Sequence, residues 1–194
     1  MLRKLVVGAL QANCYILGCE KTGQGVVIDP GDEARRITKE VVDMGITVGD
    51  ILLTHAHFDH TSGVPELKKI TGAPVLIHPL DAGGLNFRPD GELSEGQEIP
   101  AGRFRLRVIH TPGHSPGGVC FFTPGAVFTG DTLFAGSVGR TDFPGGSHEN
   151  LVQAVVQKIF PLGDSVRVYP GHGPNSTIGR ERTTNPFFRG MGMP

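Results

Sequence analysis

Cysteine is scarce in this 194-residue chain, which has only Cys14, Cys19 and Cys120. Their number is odd and no CxxC pair occurs. A disulfide framework and a thiolate zinc site are therefore excluded, and a reducing compartment is expected. Long apolar runs are also missing. No stretch approaches the length needed to cross a membrane. Met1-Leu2-Arg3-Lys4 leads into a short segment broken by Gly8, Gln11 and Asn13, not into the apolar core of a signal peptide. These absences predict a cytoplasmic protein that does not bind a membrane. Charge of one sign is lacking too, since 18 Lys and Arg stand against 19 Asp and Glu, a formal net charge of -1. That balance excludes the electrostatic footprint of a nucleic-acid binder. Internal repeats and low-complexity segments are absent.

Glycine and proline, by contrast, are plentiful, at 29 and 15 residues. In a chain that is 38% hydrophobic, such a load indicates many tight loops between apolar elements, and loops of this kind build active faces. The length suits one domain spanning residues 1–194, with a core of respectable size. Short strands are predicted over residues 5–7, 14–17 and 25–28, opening an antiparallel sheet. Asp29-Pro30-Gly31-Asp32 reads as a turn and cap, followed by an amphipathic helix over 33–44. A strand over 51–54, a helix over 64–70 and a strand over 75–77 make the middle of the chain alternate, so the sheet should be mixed. Residues 81–102 show no sustained period and read as a loop excursion with a short hairpin that could line a pocket. Strands over 104–109, 118–122, 126–129 and 166–169 and helices over 149–160 and 178–184 complete the pattern. Two successive strand-then-helix halves fit an α/β (α+β) four-layer sandwich with the sheets inside, although periodicity alone leaves the topology open.

The stretch with the most chemistry is Thr54-His55-Ala56-His57-Phe58-Asp59-His60, which places four candidate metal ligands directly after the apolar Ile51-Leu52-Leu53. Imidazole and carboxylate suit zinc, iron and manganese. His55 and His57 can share a face while the backbone is extended, whereas Asp59 and His60 follow as the chain turns, so two adjacent metals are geometrically plausible. A surface histidine cluster would rarely follow a buried apolar strand. Two ions need further donors. His114 in Thr111-Pro112-Gly113-His114, Asp131 after Phe128-Thr129-Gly130, and His172 after Tyr169-Pro170-Gly171 all repeat the order strand, glycine, ligand. Taken singly, each would be an incidental loop residue; together they suggest one site. Asp131 is the donor able to bridge two metals, because a carboxylate has two oxygens. His78, His110 and His148 lack this context, with His110 the expected near neighbour of the site.

The runs HAHFDH, TPGHSPGG, FTGDTLF and YPGHG, in this order across nearly the whole chain, resemble the metallo-β-lactamase superfamily. The resemblance implies an αββα sandwich of two mixed sheets with a binuclear site between the sheet edges. It places His55, His57 and His114 at one metal, Asp59, His60 and His172 at the other, and Asp131 between them. Within that superfamily, FAGSVGRTD over 134–142 and IGRERTTNPF over 178–187 look most like the hydroxyacylglutathione hydrolases, or type II glyoxalases, and their short bacterial relatives. Full-length members carry a helical C-terminal domain with basic residues for glutathione, and this chain is expected to lack it. A Lys and an aromatic residue of that family contact the substrate near Gly139-Arg140-Thr141-Asp142. Arg140 could take the Lys role by pairing with a substrate carboxylate, while Asp142 does not resemble the aromatic partner.

The implied activity is hydrolysis of a small-molecule thioester such as S-lactoylglutathione by a metal-bridging hydroxide. Two divalent ions, zinc or else iron or manganese, are the implied cofactors. Asp59 and Asp131 are the candidate catalytic carboxylates. Asp29 and Thr54 are candidates for orienting the ligands, although Asp29 serves equally well as a helix cap. The main alternative is a persulfide dioxygenase with one iron on His55, His114 and Asp131. Those enzymes continue GRTDF with glutamine, whereas Pro144-Gly145-Gly146 follows here. An esterase or lactonase, or a metal-binding protein without turnover, ranks lower. The chain is expected to be a monomer or small homo-oligomer. Phe187, Phe188 and the glycine-rich tail are the segment that would pack against the domain or another subunit.

Overall fold

Neighbouring apolar residues of the strands alternate between two cores, and this places the sheets inside the molecule. Cys14 and Ile16 belong to one cluster while Tyr15 and Leu17 belong to another, as a pleated strand requires. The structure is a computed structural model and describes residues 1–189. Its first sheet has six strands in sequence order: β1 (Leu2–Val7), β2 (Ala12–Gly18), β3 (Gln24–Ile28), β4 (Thr47–Leu52), β5 (Val75–Ile77) and β6 (Gly91–Glu92). β1 to β3 are antiparallel, and β3 to β6 are parallel. Ile37 and Val41 of α1 (Ala34–Asp43), with Val64 and Leu67 of α3 (Val64–Thr71), cover the outer face. Between these two helices lies the single-turn α2 (Phe58–Thr61).

After the short α4 (Pro79–Ala82), the second sheet begins with β7 (Glu98–Ala101), β8 (Phe104–His110), β9 (Val119–Thr123) and β10 (Ala126–Gly130). A small hairpin, β11 (Leu133–Phe134) and β12 (Ser137–Val138), follows before α5 (His148–Ala154). β13 (Arg167–Pro170), β14 (Ser176–Thr177) and α6 (Ile178–Thr184) complete the fold. The order β14-β13-β10-β9-β8-β7 is mixed, with β10 and β13 parallel and the other pairs antiparallel. Val26, Ile28 and Leu52 of the first sheet meet Val108, Phe121 and Phe128 of the second in the central core. Leu151, Val155, Ile159 and Ile178 pack on the outer face of the second sheet. The layers are therefore helix, sheet, sheet, helix, an αββα sandwich.

Several elements differ from the periodicity reading. β4 starts at Thr47 and ends at Leu52, so Leu53 and Thr54 already lie in the loop that carries the histidines. The helix expected over 149–160 is α-helical only to Ala154, continues as a π-turn over Val155–Ile159, and ends as a 3-10 turn over Phe160–Leu162. Apolar residues four apart suit both helix types, so spacing did not reveal the change. Residues 81–102 are more ordered than a loop excursion: α4 ends within them, β6 extends the first sheet and β7 forms a hairpin with β8. Asp29 does not cap α1, whose N-cap residue is Glu33 and whose first turn receives no side-chain cap. Phe188 is buried against Phe160 of the same chain, with ring centroids 5.0 Å apart. The tail beyond Arg189 lies outside the described residues.

Candidate metal centre

The predicted ligands arrive from one end of the sandwich. His55 and His57 occupy the loop after β4, and Asp59 and His60 lie in α2. His114 sits between β8 and β9, Asp131 directly after β10, and His172 after β13. The structure brings all seven together. His57 Nδ1 lies 2.9 Å from His114 Nε2, and His60 Nε2 lies 3.2 Å from His172 Nε2. Asp59 Oδ2 is 3.1 Å from His172 Nε2, and Asp131 reaches His60 at 3.4 Å and His114 at 3.6 Å. Three overlapping groups could each hold an ion: His55 with His57 and His114, His55 with His60 and Asp131, and Asp59 with His60 and His172.

Hydrogen bonds behind the ligands decide which nitrogen faces the centre. The Asp29 carboxylate, 1% exposed, accepts the Thr54 N–H at 2.8 Å and the Thr54 hydroxyl at 2.7 Å. Having given its proton to Asp29, the Thr54 oxygen can only accept from His55 Nδ1, at 2.9 Å. His55 Nε2 is thereby left with its lone pair. Asp29 also accepts from His60 Nδ1 at 3.1 Å, turning His60 Nε2 inward. His114 Nδ1 donates to the Arg140 carbonyl at 2.7 Å, which frees its Nε2. Asp29 and Thr54 thus sit behind His55 and His60 and hydrogen-bond the ring nitrogens that face away from the centre.

The residues fit metal ions. Both His55 Nε2 and Asp131 Oδ1 are buried without a hydrogen-bond partner, an arrangement that costs energy unless a cation accepts their lone pairs. Burial, with His60 and His114 adding to it, holds the His55 imidazole well below the usual histidine range; burial and His114 do the same for His57. Both are therefore neutral, the form that binds a metal. Burial works against ionisation of Asp59, yet its hydrogen bond from His172 and the charge of His60 bring it down to about 2. Asp131 is lowered against the same burial penalty, chiefly by His60. His60 in turn is raised despite burial, by Asp131 and then Asp29, so the centre attracts positive charge.

Close packing at the centre explains two glycines. A Cβ on Gly171 would collide with the Asp131 carboxylate and come within 2.8 Å of the His60 ring. A Cβ on Gly139 would collide with the Asp131 carbonyl and come within 3.1 Å of His114 Nδ1.

Several supporting residues escaped the sequence reading because their partners are backbone groups of distant segments. Asn13 Nδ2 donates to the carbonyls of Pro170 at 2.8 Å and Gly173 at 3.0 Å, and the Tyr15 hydroxyl donates to Pro170 at 2.7 Å. Together they hold the loop of His172. Asp81, 5% exposed, accepts the Gly117 N–H at 2.6 Å and the Ala56 N–H at 3.2 Å, joining the loop of His114 to that of His55 and His57. His110 donates from Nε2 to Pro116 at 2.9 Å and stacks on His78, with ring centroids 4.2 Å apart. It is a neighbour of the ligand loop and not part of the cluster.

The centre forms the floor of a cavity of about 690 Å³ that includes His57, Asp59, His114, Asp131 and His172. Arg140 lines it, but its guanidinium is paired with Asp142 at 2.7 and 2.6 Å and lies 4.1 Å over the Phe143 ring. Position 142 holds no aromatic residue; the Phe143 ring beside it lies with its centroid 5.0 Å from that of His57.

Residues 7–172 match the family model described as Metallo-beta-lactamase superfamily. The chain belongs to this superfamily. It is 34% identical over 202 residues to Hydroxyacylglutathione hydrolase GloC of Haemophilus influenzae, covering 94% of this chain and 95% of that protein. Among solved structures it is similar to BLEG-1 B3 metallo-beta-lactamase, with a TM-score of 0.90 and 34% identity over 98% of this chain and 100% of that one. It is also similar to TTHA1623 in a di-iron-bound form, with a TM-score of 0.84 and 39% identity over 95% and 99% of the two chains. No helix among the described residues is long and apolar enough to cross a membrane.

Proposed function

We propose that the protein is a binuclear metal-dependent hydrolase whose substrate is a small-molecule thioester. The observation that carries this reading is a pair of ligand groups, His55, His57 and His114 beside Asp59, His60 and His172, with Asp131 between them. When bound, two divalent cations supply Lewis-acid polarisation of a carbonyl and a water acidic enough to attack near neutral pH. The chain's own groups position the reaction. Asp59, ionised and 3.1 Å from His172, offers a carboxylate oxygen that can accept a proton of the attacking water and align it. Asp131, ionised and with one free buried oxygen, neutralises charge at the middle of the site. A thiolate departs without a strong acid beside it, so a thioester needs no proton donor above the floor.

The similarity to GloC supports this substrate class, and the similarity to a di-iron structure supports two ions. A mononuclear-iron dioxygenase acting on a persulfide would use His55, His114 and Asp131 and leave Asp59, His60 and His172 without a role. The completeness of that second group favours hydrolysis.

The test is a panel on metal-loaded protein: S-lactoylglutathione, a neutral thioester, a β-lactam because of the likeness to BLEG-1, and glutathione persulfide with oxygen uptake recorded. Thioester cleavage that Asp131→Ala reduces by orders of magnitude is the expected result. Oxygen consumption with persulfide and no thioester cleavage would contradict it.

A further inference from the structure

The walls of the cavity differ in character from its floor. Leu10, Phe58 and Phe143 line it and are 54%, 68% and 37% exposed, with Phe134, Val138 and Pro144 beside them. Large apolar side chains standing in water around a concave site mark where an apolar ligand group is covered. Charge is distributed the other way. Asp59 and Asp131 lie on the floor, and Arg140 is the one Lys or Arg among the lining residues. Its Nε and Nη2 both point to the Asp142 carboxylate, and its flat face rests on Phe143. A carboxylate entering the cavity would have to displace Asp142 to gain a bidentate partner. Glutathione carries two carboxylates, and above the floor Arg140 is the one Lys or Arg among the lining residues to receive them.

We infer that the preferred thioester carries an uncharged, apolar group held between Leu10, Phe58 and Phe143, and that Asp142 is a specificity-determining residue that withholds Arg140 from carboxylate-bearing substrates. This rests on the thioester hydrolase reading and narrows it. Arg140 and Asp142 are both exposed, so the pair is weak and its removal should shift preference modestly. The lever lies in the mutual orientation of two side chains two residues apart, in a loop that also presents a backbone carbonyl to His114.

The experiment compares kcat/KM on the metal-loaded protein for S-lactoylglutathione, S-lactoyl-N-acetylcysteamine and S-octanoyl-N-acetylcysteamine. Binding of S-octylglutathione and of a neutral octyl thioether is measured alongside by calorimetry. The octanoyl N-acetylcysteamine ester should exceed S-lactoylglutathione by about tenfold or more, the step expected when a few methylenes enter an apolar pocket. Asp142→Asn should raise kcat/KM for S-lactoylglutathione roughly fivefold and tighten S-octylglutathione by a similar factor, leaving the neutral ligands within about twofold. Leu10→Ser, in the exposed turn between β1 and β2, should weaken the neutral thioether and S-octylglutathione alike, severalfold, because both carry the octyl chain. A wild-type preference for S-lactoylglutathione, or an Asp142→Asn variant with unchanged discrimination, overturns the inference while the hydrolase reading stands. No cleavage of any thioester, with octyl thioether binding intact, would instead remove the hydrolase reading and the substrate preference built on it.

Discussion

Asp29 makes three hydrogen bonds from one buried carboxylate and through them fixes the inward nitrogens of two histidines, His60 directly and His55 by way of Thr54. Removing it should act at a distance from the ions. Asp29→Ala is expected to lower metal affinity about 10- to 100-fold, the usual cost of losing a partner behind a ligand. It should also destabilise the fold by about 1–3 kcal/mol, because the buried Thr54 N–H loses its acceptor. Competition with a chelator and denaturant unfolding read these two effects separately. Gly171→Ala is a narrower probe, since its new methyl would collide with Asp131 and crowd His60. It should reduce metal content and turnover together while the far-ultraviolet spectrum stays that of the wild type. The clustering of the candidate ligands was legible because imidazole and carboxylate seldom gather by accident after an apolar strand. Asp29 was left between two roles, cap or orienting group, because both begin with the same residue type at the end of a strand; the hydrogen bonds separate them.

At the scale of elements, the site is a set of loops pinned to one another. Asp81 reads in the sequence only as the first residue of a loop excursion, yet from α4 its carboxylate ties Gly117 to Ala56 and so sets the spacing of His114 against His57. Asp81→Ala leaves two N–H groups without an acceptor, and unfolding should show a loss of about 2–4 kcal/mol. Retention of one ion while the group of His55, His57 and His114 empties first on dilution is the expected pattern; loss of stability with metal binding untouched would limit Asp81 to the fold. Strand positions were readable because apolar residues alternate between two cores, as Val26, Val27 and Ile28 do. The short pieces between residues 79 and 101 were not, since two- to four-residue elements carry no period to detect. Tyr15 reads in the sequence only as part of a strand, and Asn13 only as a break in the segment before it. Their polar ends serve the loop of His172, some 155 residues away in sequence, and no local pattern reports such a partner.

Across the whole molecule, the two sheets meet in a conventional apolar core, while His55 Nε2 and Asp131 Oδ1 are buried unpaired at the candidate metal centre. Folding therefore produces a centre whose buried lone pairs are unfavourable until cations arrive. Metal addition should stabilise the protein strongly. At a free concentration of about 1,000 Kd, one site contributes about 4 kcal/mol, which for a chain of this size corresponds to a rise in Tm of roughly 8–16 °C. A thermal shift that appears with divalent metal, reverses with chelator and is smaller in His57→Ala and Asp131→Ala is the expected result. His78→Ala should keep the wild-type shift, because that ring stacks on His110 and not on the ligands. The most direct test of the proposed pair of ions is the number bound per chain, from elemental analysis and anomalous scattering of metal-loaded protein. Two ions are expected, one among His55, His57 and His114 and one among Asp59, His60 and His172, with Asp131 touching both. A single ion at full loading, with Asp59 and His172 turned away from it, would contradict it.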